Sequence, residues 1–293
     1  MSDRRPELPL PLMREVRQRC GFGCVVCGKP IYEYDHLLGW ANIQVHVADE
    51  ITLLCIEHHG EKTRGFLTNK AVMAANEDPY NLRAGVTKPY DLRFEGKEFR
   101  VELGSTVVSG EDQGYGTICE VIRIDGYPVL AVILGDGHFL LTLTVFDDCN
   151  RIILQIVNNE LVINLLAWDI EVVGTRLILR TGLGKILFDI RFALPNTIVI
   201  ERGRFLRNGV ELLVAPKWAA VLNNRVVFRS CRIHNCGSGL VLGEDLAPPG
   251  GAVRISGIRR YDWNRKEAIS WAKEQVAASA DAEAAVGDLT DPE

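Results

Sequence analysis

Two pairs of metal-binding residues stand out near the start of the chain. The first pair is Cys24-Val-Val-Cys27 and the second is Cys55-Ile-Glu-His58, with 27 residues between them. Two residues between ligands let one turn of the chain direct both side chains at a single ion, and two such pairs make a tetrahedral zinc site. We therefore predict that Cys24, Cys27, Cys55 and His58 hold a structural Zn²⁺.

Cys20 is a rival ligand, because it precedes Cys24 by a spacing that zinc sites permit. The Cys24–Cys27 spacing matches the Cys55–His58 spacing better, so we expect Cys20 to be a buried, free thiol. The later cysteines fall in predicted strands or turns, where a free cysteine acts as a small hydrophobic residue. We assign no role to these: Cys119, Cys149, Cys231 and Cys236.

A second set of reactive residues lies close to the zinc candidates. Asp35 and His36 are adjacent between the two pairs, and His59 directly follows His58. A carboxylate with an imidazole suits a hard or borderline divalent cation, and a neutral imidazole accepts a proton from water at about pH 7. If the zinc site closes, Asp35, His36 and His59 are expected to lie within about 5 Å of one point. The alternative is that each of them is an ordinary surface residue.

The elements that must position these side chains are short. The pattern predicts a helix over residues 11–19 and strands at Ile31–Tyr34 and Ile51–Leu54. A further helix is expected from Cys55 to about Arg64, where a glycine follows. Thr68 is a good N-cap for a helix over Asn69–Asn76.

The pattern CVVCG…YDH…HVADEITLLCIEHHGEKTRG resembles the HNH endonucleases, members of the ββα-metal (His-Me finger) nuclease superfamily. The resemblance covers about residues 12–85, under a third of the chain. It implies a zinc-knuckle domain in which a β-hairpin and a helix grip one catalytic metal. The implied activity is metal-dependent cleavage of DNA to a 3′-hydroxyl and a 5′-phosphate, and RNA stays open as a substrate.

The resemblance also implies a role for individual residues. His36 would be the general base that deprotonates the attacking water, and Asp35 and His59 would hold a catalytic Mg²⁺ or Mn²⁺. Lys62 and Arg64 would lie near the DNA phosphates. The family commonly has an asparagine five residues before the cysteine of the "LC" block, and here that position is Glu50.

From about residue 92 the sequence consists of short β-branched and apolar runs. Turn pairs separate them, and such pairs suit tight hairpins: Asp125-Gly126, Asp136-Gly137, Asn158-Asn159, Asn208-Gly209 and Asn223-Asn224. We predict an α+β chain with an HNH domain over 1–90 and a mostly antiparallel or solenoid-like all-β domain over 91–260. Residues 261–293 would hold a C-terminal helix over Tyr261–Ala278, with anchors at Trp263, Ala268, Trp271 and Val276, and a disordered acidic tail.

Composition and charge limit the possible partners. Hydrophobic residues make up 47% and charged residues 24% of the 293 residues, which is typical of a globular protein. The net charge of −5 falls entirely in residues 91–293, so nucleic-acid binding needs a local basic patch. Two basic runs, over 201–232 and 254–266, are candidates, although solvated strand faces explain them equally simply. No apolar leader or membrane-spanning run is visible, so a cytoplasmic protein without a membrane partner is expected.

Three functions are compatible with these features. The first is a DNA endonuclease whose β-rich module regulates or targets it. The second is a non-catalytic zinc-knuckle protein that binds nucleic acid. The third is a β-domain sensor or assembly protein, possible as a homo-oligomer through the β domain, with the HNH domain as its effector.

Overall fold

The computed structural model describes residues 6–114, 116–244 and 251–287. Within these ranges the chain is an α+β structure, mostly β-sheet, with a few helices and a C-terminal helix. The helices are α1 (Leu10–Arg19), α2 (Trp40–Ile43), α3 (Ile56–Thr63), α4 (Asn69–Glu77), α5 (Tyr80–Ala84) and α6 (Arg265–Gly287). The strands are β1 (Glu33–His36), β2 (Ile51–Leu54), β3 (Tyr90–Asp91), β4 (Glu98–Leu103), β5 (Thr106–Glu111), β6 (Thr117–Ile124), β7 (Tyr127–Gly135), β8 (His138–Phe146), β9 (Ile152–Val157), β10 (Glu160–Ile163), β11 (Asp169–Val173), β12 (Arg176–Gly182), β13 (Lys185–Ala193), β14 (Thr197–Arg207), β15 (Val210–Ala215), β16 (Trp218–Val221), β17 (Val226–Phe228), β18 (Arg232–His234), β19 (Ser238–Leu242) and β20 (Val253–Ile255).

The chain divides into two compact units. Unit 1 is Met1–Leu92 together with Ile153–Ile186, and unit 2 is Arg93–Ile152 together with Leu187–Glu293. The sequence assigns residues 153–186 to the β-rich domain over 91–260, whereas in the structure they belong with the N-terminal residues.

A hairpin and a helix form the centre of unit 1. β1 and β2 are antiparallel, with Asp35 opposite Thr52 and His36 opposite Ile51, and α3 begins directly after β2. β1 is displaced by two residues from the predicted Ile31–Tyr34, because its pairing with β2 runs from Glu33 to His36. The Leu37 N–H donates to the Glu50 carbonyl at 2.9 Å, so the backbone of Glu50 extends the pairing by one step at the loop end of the hairpin.

The hairpin and helices of unit 1 share one small apolar core. β2 is buried along its whole length, and it packs with Val16 of α1, Val72 of α4 and three of the zinc-candidate thiols. The predicted N-cap of α4 is confirmed, since the Thr68 hydroxyl accepts a hydrogen bond from the Ala71 N–H at 3.2 Å.

A buried ion-pair network joins α1 to β11 and β12 in unit 1. Arg17 is 3% exposed, and its guanidinium binds both oxygens of Asp169, at 2.8 and 2.7 Å. Arg180 completes the network by binding Asp169 and Glu171. Burial opposes the charge of Arg17, but the hydrogen bond to Asp169 raises its pKa. Such a network holds its elements together, because removing one partner leaves a buried charge unpaired.

Unit 2 is built from hairpins that the turn pairs predict. Asp125-Gly126 joins β6 to β7, Asp136-Gly137 joins β7 to β8, and Asn208-Gly209 joins β14 to β15. All six of these residues have positive φ angles, as tight hairpin turns require. Asn158-Asn159 makes the equivalent turn in unit 1, whereas Asn223-Asn224 lies in a 3₁₀ turn that leads into β17.

Most strand pairs in unit 2 are antiparallel. One sheet contains β20, β19, β6, β7 and β8, and the other contains β13 to β17, with β4 alongside β14. Parallel pairs occur where β4 meets β14, β18 meets β5, and β19 meets β6 and β20. Phe94 lies between Phe139 of the first sheet and Phe192 of the second, at 4.7 and 6.0 Å between ring centroids.

The C-terminal helix packs on one end of the second sheet. Ala268 and Ala272 of α6 are buried against Trp218, Ala220 and Leu222. Of the predicted anchors, Ala268 is buried and Trp263, Trp271 and Val276 pack partly buried against the same cluster, whereas Ala272 was not predicted. The helix begins later than predicted, at Arg265, and continues to Gly287. The prediction of a disordered tail is therefore wrong for residues 279–287, and its remainder, 288–293, lies outside the described residues.

In the described part of the chain, no helix is both long enough and apolar enough to cross a bilayer.

Candidate functional site

Four side chains converge in unit 1 as the zinc spacing predicts. The ligand atoms of Cys24, Cys27, Cys55 and His58 all lie within 4.8 Å of one another. Tetrahedral zinc with its usual bond lengths requires S···S distances of about 3.8 Å and S···N distances of about 3.6 Å. The Cys27 and Cys55 sulfurs are 3.7 Å apart, and His58 Nδ1 lies 3.4 Å from Cys24 Sγ and 3.2 Å from Cys55 Sγ. The group therefore fits a tetrahedral metal ion.

A tight turn presents the first pair of ligands. The Gly28 N–H donates to the Cys24 carbonyl at 2.7 Å, and the Cys24 N–H donates to Lys29. Gly28 has a φ of 79°, and a Cβ there would lie 2.4 Å from the Asn81 side chain. Only glycine fits this turn, because both the backbone conformation and the packing exclude a side chain.

The second pair of ligands is set by the start of α3. Cys55 is the N-cap residue, and its carbonyl accepts the His59 N–H at 2.8 Å. One helical turn then places His58 beside the Cys55 sulfur. A hydrogen bond from Cys27 holds the pKa of the Cys24 thiol well below its usual range, so this thiol favours the thiolate form that binds metal.

Cys20 lies apart from the metal group, as predicted. Its thiol is fully buried and contacts Thr52 and Asn76. Burial raises its pKa, which keeps the thiol protonated.

Asp35 and His59 are close to each other on a different face of α3 from His58 and the Cys/His group. Asp35 Oδ1 lies 3.4 Å from His59 Nε2, and Glu33 Oε2 lies 2.7 Å from His59 Nδ1. Glu33 and Asp35 share a face of β1 because alternate residues of a strand point the same way. The two carboxylates therefore contact opposite nitrogens of one imidazole.

Lys62 also contacts Asp35, and this was not predicted. Its ammonium donates to Asp35 Oδ2 and, at 2.6 Å, to the His36 carbonyl. The Lys62 side chain is 9% exposed, so in this arrangement it faces a carboxylate rather than solvent. Arg64 is exposed at the C-terminal end of α3.

His36 contacts a different set of side chains from Asp35. It is 2% exposed, and its Nε2 lies 3.3 Å from His46 Nδ1. The Trp40 ring lies 5.1 Å from the His36 ring and stacks on His46. Adjacent strand residues point to opposite faces, which explains why Asp35 and His36 have different neighbours.

Among the described residues, the Cys24 group is the one set of three or more His, Cys, Asp or Glu side chains whose ligand atoms, one from each, all lie within 4.8 Å of one another. Asp35, His36 and His59, which were expected to converge, do not form such a set.

Glu33 and Trp40 of this region were missed in the sequence, and His46, in the loop before the second ligand pair, was expected to be structural rather than catalytic. Glu33 carries a usable signal, since it lies two residues before Asp35 and therefore on the same strand face. Trp40 and His46 carry none, because the path of the 37–47 loop decides what they contact.

Several arginines of the two basic runs contact groups within unit 2. Arg204 and Arg265 bind the fully buried Glu211, and Arg260 binds both oxygens of Asp125. Arg207 donates to the Ile124 carbonyl. These contacts favour the structural interpretation of these arginines over a phosphate-binding one.

The chain was compared with known proteins by family, by sequence and by structure. No family model matches it, and neither the curated proteins nor the solved structures contain a match.

Proposed function

We propose that unit 1 is a metal-dependent phosphodiester hydrolase of the HNH type that cuts DNA. The observation that carries the proposal is the contact between Asp35 of β1 and His59 of α3, beside a Cys/His group with zinc geometry. A strand, a second strand and a helix supply these residues in the order that the family resemblance implies.

The surroundings of His59 support a cation at this position. Glu33 Oε2 lies 2.7 Å from His59 Nδ1 and Asp35 Oδ1 lies 3.4 Å from His59 Nε2, so two acidic side chains flank the imidazole. Carboxylate oxygens and an imidazole nitrogen are ligands that a divalent cation accepts. Neighbouring ligands of an octahedral ion are about 3.0 Å apart. Asp35 and His59 therefore fit two positions around Mg²⁺ or Mn²⁺, and water and phosphate oxygens suit the others.

Each residue then has a distinct task. A bound Mg²⁺ or Mn²⁺ supplies positive charge that stabilises the phosphoryl group and the leaving oxygen. The family resemblance assigns to His36 the acceptance of the proton from the attacking water, although its side chain lies on the opposite face of β1 from Asp35. Lys62 holds the end of β1 through Asp35 and the His36 carbonyl. Arg64 is available to a DNA phosphate.

The test is plasmid nicking by the zinc-loaded full chain, with and without added Mg²⁺ or Mn²⁺. His36→Ala and His59→Ala are expected to slow nicking roughly 100-fold or more, the usual worth of a general base or a metal ligand. His138→Ala removes an exposed histidine of unit 2 and is expected to match the wild type. Equal rates for His59→Ala and His138→Ala would contradict the proposal.

A second candidate is a zinc-knuckle protein that binds nucleic acid without cutting it. The observation that favours it is the ion pair of Lys62 with Asp35, together with the burial of His36. In this case a lysine ammonium takes the place of the metal beside Asp35. DNA binding that is equal for the wild type and His36→Ala, with no cleavage under either metal, supports this second function.

A further inference from the structure

Two cysteines of unit 2 are in contact where β19 pairs with β6. The Glu120 N–H of β6 donates to the Gly237 carbonyl at 2.9 Å, and the parallel pairing then places Ser238 opposite Glu120. Cys119 directly precedes Glu120, and Cys236 directly precedes Gly237. The two thiols share a hydrogen bond. The pairing of β6 with β19 therefore brings together two thiols from distant parts of the chain.

The turn that carries Cys236 is held on both sides. Asn235 binds β5 through its backbone N–H and its side-chain oxygen, at 3.0 and 2.9 Å, and Gly237 binds β6. These contacts keep the Cys236 sulfur beside Cys119. A bond between the two sulfurs therefore requires little movement of the backbone.

The two thiols differ in exposure and in ionisation. Cys119 is 1% exposed, whereas Cys236 is partly exposed and lines a surface cavity of about 390 Å³. The hydrogen bond from Cys119 lowers the pKa of Cys236, and the same contact together with burial raises the pKa of Cys119. Because the thiolate is the reactive form of cysteine, Cys236 is the accessible nucleophile and Cys119 is the protonated partner behind it.

We propose that Cys236 and Cys119 are a redox pair that a peroxide converts to a disulfide. The Cys236 thiolate attacks one oxygen of hydrogen peroxide and breaks the O–O bond, so the sulfur is oxidised to a sulfenic acid and the released hydroxide takes up a proton to form water. The Cys119 sulfur then attacks the Cys236 sulfur, the S–O bond breaks, and the hydroxyl group leaves as water with the Cys119 proton. Two thiols and one peroxide thus give one disulfide and two waters. The disulfide links β6 to the turn before β19, and the proposal does not depend on DNA cleavage by unit 1.

The first test maps the disulfide by mass spectrometry. The zinc-loaded full chain is treated with hydrogen peroxide, unfolded, alkylated at its remaining thiols and digested with trypsin, which cuts at Arg232 and so separates Cys231 from Cys236. We expect the peptide of Cys119 to be linked to the peptide of Cys236 and to be released by dithiothreitol. Oxidation of the exposed Cys149 while Cys119 and Cys236 both remain alkylated overturns the inference.

The second test assigns the roles of the two thiols. Cys119→Ser keeps a hydroxyl that can donate to the Cys236 thiolate but cannot form the disulfide. We expect Cys236 to stop at the sulfenic acid in this variant, so that its labelling by dimedone rises several-fold above that of the wild type. In Cys236→Ser, Cys119 is expected to remain a free thiol, because the accessible nucleophile is missing.

Cys231→Ser is the matched control for both substitutions. Cys231 is also partly exposed in unit 2, and its thiol contacts the Arg229 carbonyl, so this variant is expected to form the same disulfide as the wild type. Equal dimedone labelling of Cys236 in Cys119→Ser and Cys231→Ser would show that Cys119 does not resolve the sulfenic acid. Because the first test uses the wild type, it decides the inference even if Cys119→Ser fails to fold.

Discussion

His58 and His59 are neighbours in sequence but have different contacts. Successive residues of a helix point about 100° apart. His58 consequently faces the thiols of Cys24 and Cys55, while His59 faces the carboxylates of β1. Asp35 and His36 are separated in the same way by the alternation of a strand. At this scale, the element that carries a residue decides which chemistry the residue can take part in.

The metal group gives a prediction for a single thiol. Cys55→Ser removes a ligand from a four-ligand set and also a buried part of the unit 1 core. We expect zinc content to fall from about one ion per chain to well below one, together with a clear drop in Tm, because metal binding and folding are coupled in such sites. Zinc is measured by elemental analysis after gel filtration.

Cys149→Ser is the matched control for this change. Cys149 is exposed and free in unit 2, so the same substitution there is expected to leave zinc content and Tm unchanged. Full zinc occupancy in Cys55→Ser would show that the Cys/His group is not the metal site.

Sequence reasoning reached the metal ligands because their spacing is local. The residues that contact Asp35 and His36 were harder to predict. Lys62 meets Asp35 only when α3 lies against β1. His46 reaches His36 only through the path of a loop, which no periodicity describes.

At the scale of elements, the hairpins of unit 2 were predictable and their side-chain partners were not. Asp-Gly pairs mark β6–β7 and β7–β8, because the turn needs positive φ. The same two turns differ in a contact that the sequence does not reveal. The Asp125 carboxylate accepts hydrogen bonds from Nη1 and Nη2 of Arg260, at 2.7 and 2.6 Å, whereas the side chain of Asp136 is exposed.

Asp125→Asn tests the ion pair while keeping the turn, since asparagine also tolerates positive φ. We expect a loss of about 1–3 kcal/mol in the free energy of unfolding at neutral pH, the usual worth of hydrogen bonds to a charged group. Asp136→Asn, in a turn of the same type, should change it by less than about 0.5 kcal/mol. Urea unfolding measures both, and equal effects of the two substitutions would contradict a special role for Arg260.

The effect of Asp125→Asn is also expected to depend on pH. Burial opposes ionisation, but hydrogen bonds from Arg260 and Asn208 outweigh it and lower the pKa of Asp125. A depressed carboxyl pKa stabilises the fold above the unfolded-state pKa of about 3.9 and loses that contribution as the pH falls below it. The difference between the wild type and Asp125→Asn should therefore be constant from about pH 5 to 8 and shrink below about pH 4.

At the scale of the whole molecule, unit 1 is assembled from two distant segments. Arg17 and Asp169 lie 152 positions apart, yet they form its most buried ion pair among the described contacts. The sequence could not show this, because β9 to β12 have the same apolar texture as the strands of unit 2. An ion pair between a buried arginine and a buried aspartate does not change the hydrophobic periodicity of either segment, so the sequence pattern does not predict it.

The assembly of unit 1 predicts how the protein responds to zinc removal. Cys24 and Cys55 share a core with Val16 of α1, and α1 holds β11 through Arg17. Chelation is therefore expected to increase amide exchange in residues 24–63 and, with them, in residues 153–186, while β6, β7 and β8 stay protected as an internal reference. Hydrogen exchange with mass spectrometry on the full chain gives this comparison.

Arg17→Met leaves Asp169 and Glu171 without this partner, so it should raise exchange in β11 even with zinc bound, because a buried charge that loses its partner is costly. If the amides of β11 and β12 stay as protected from exchange as those of β6, β7 and β8 after zinc removal, residues 153–186 do not depend on the metal-bound fold.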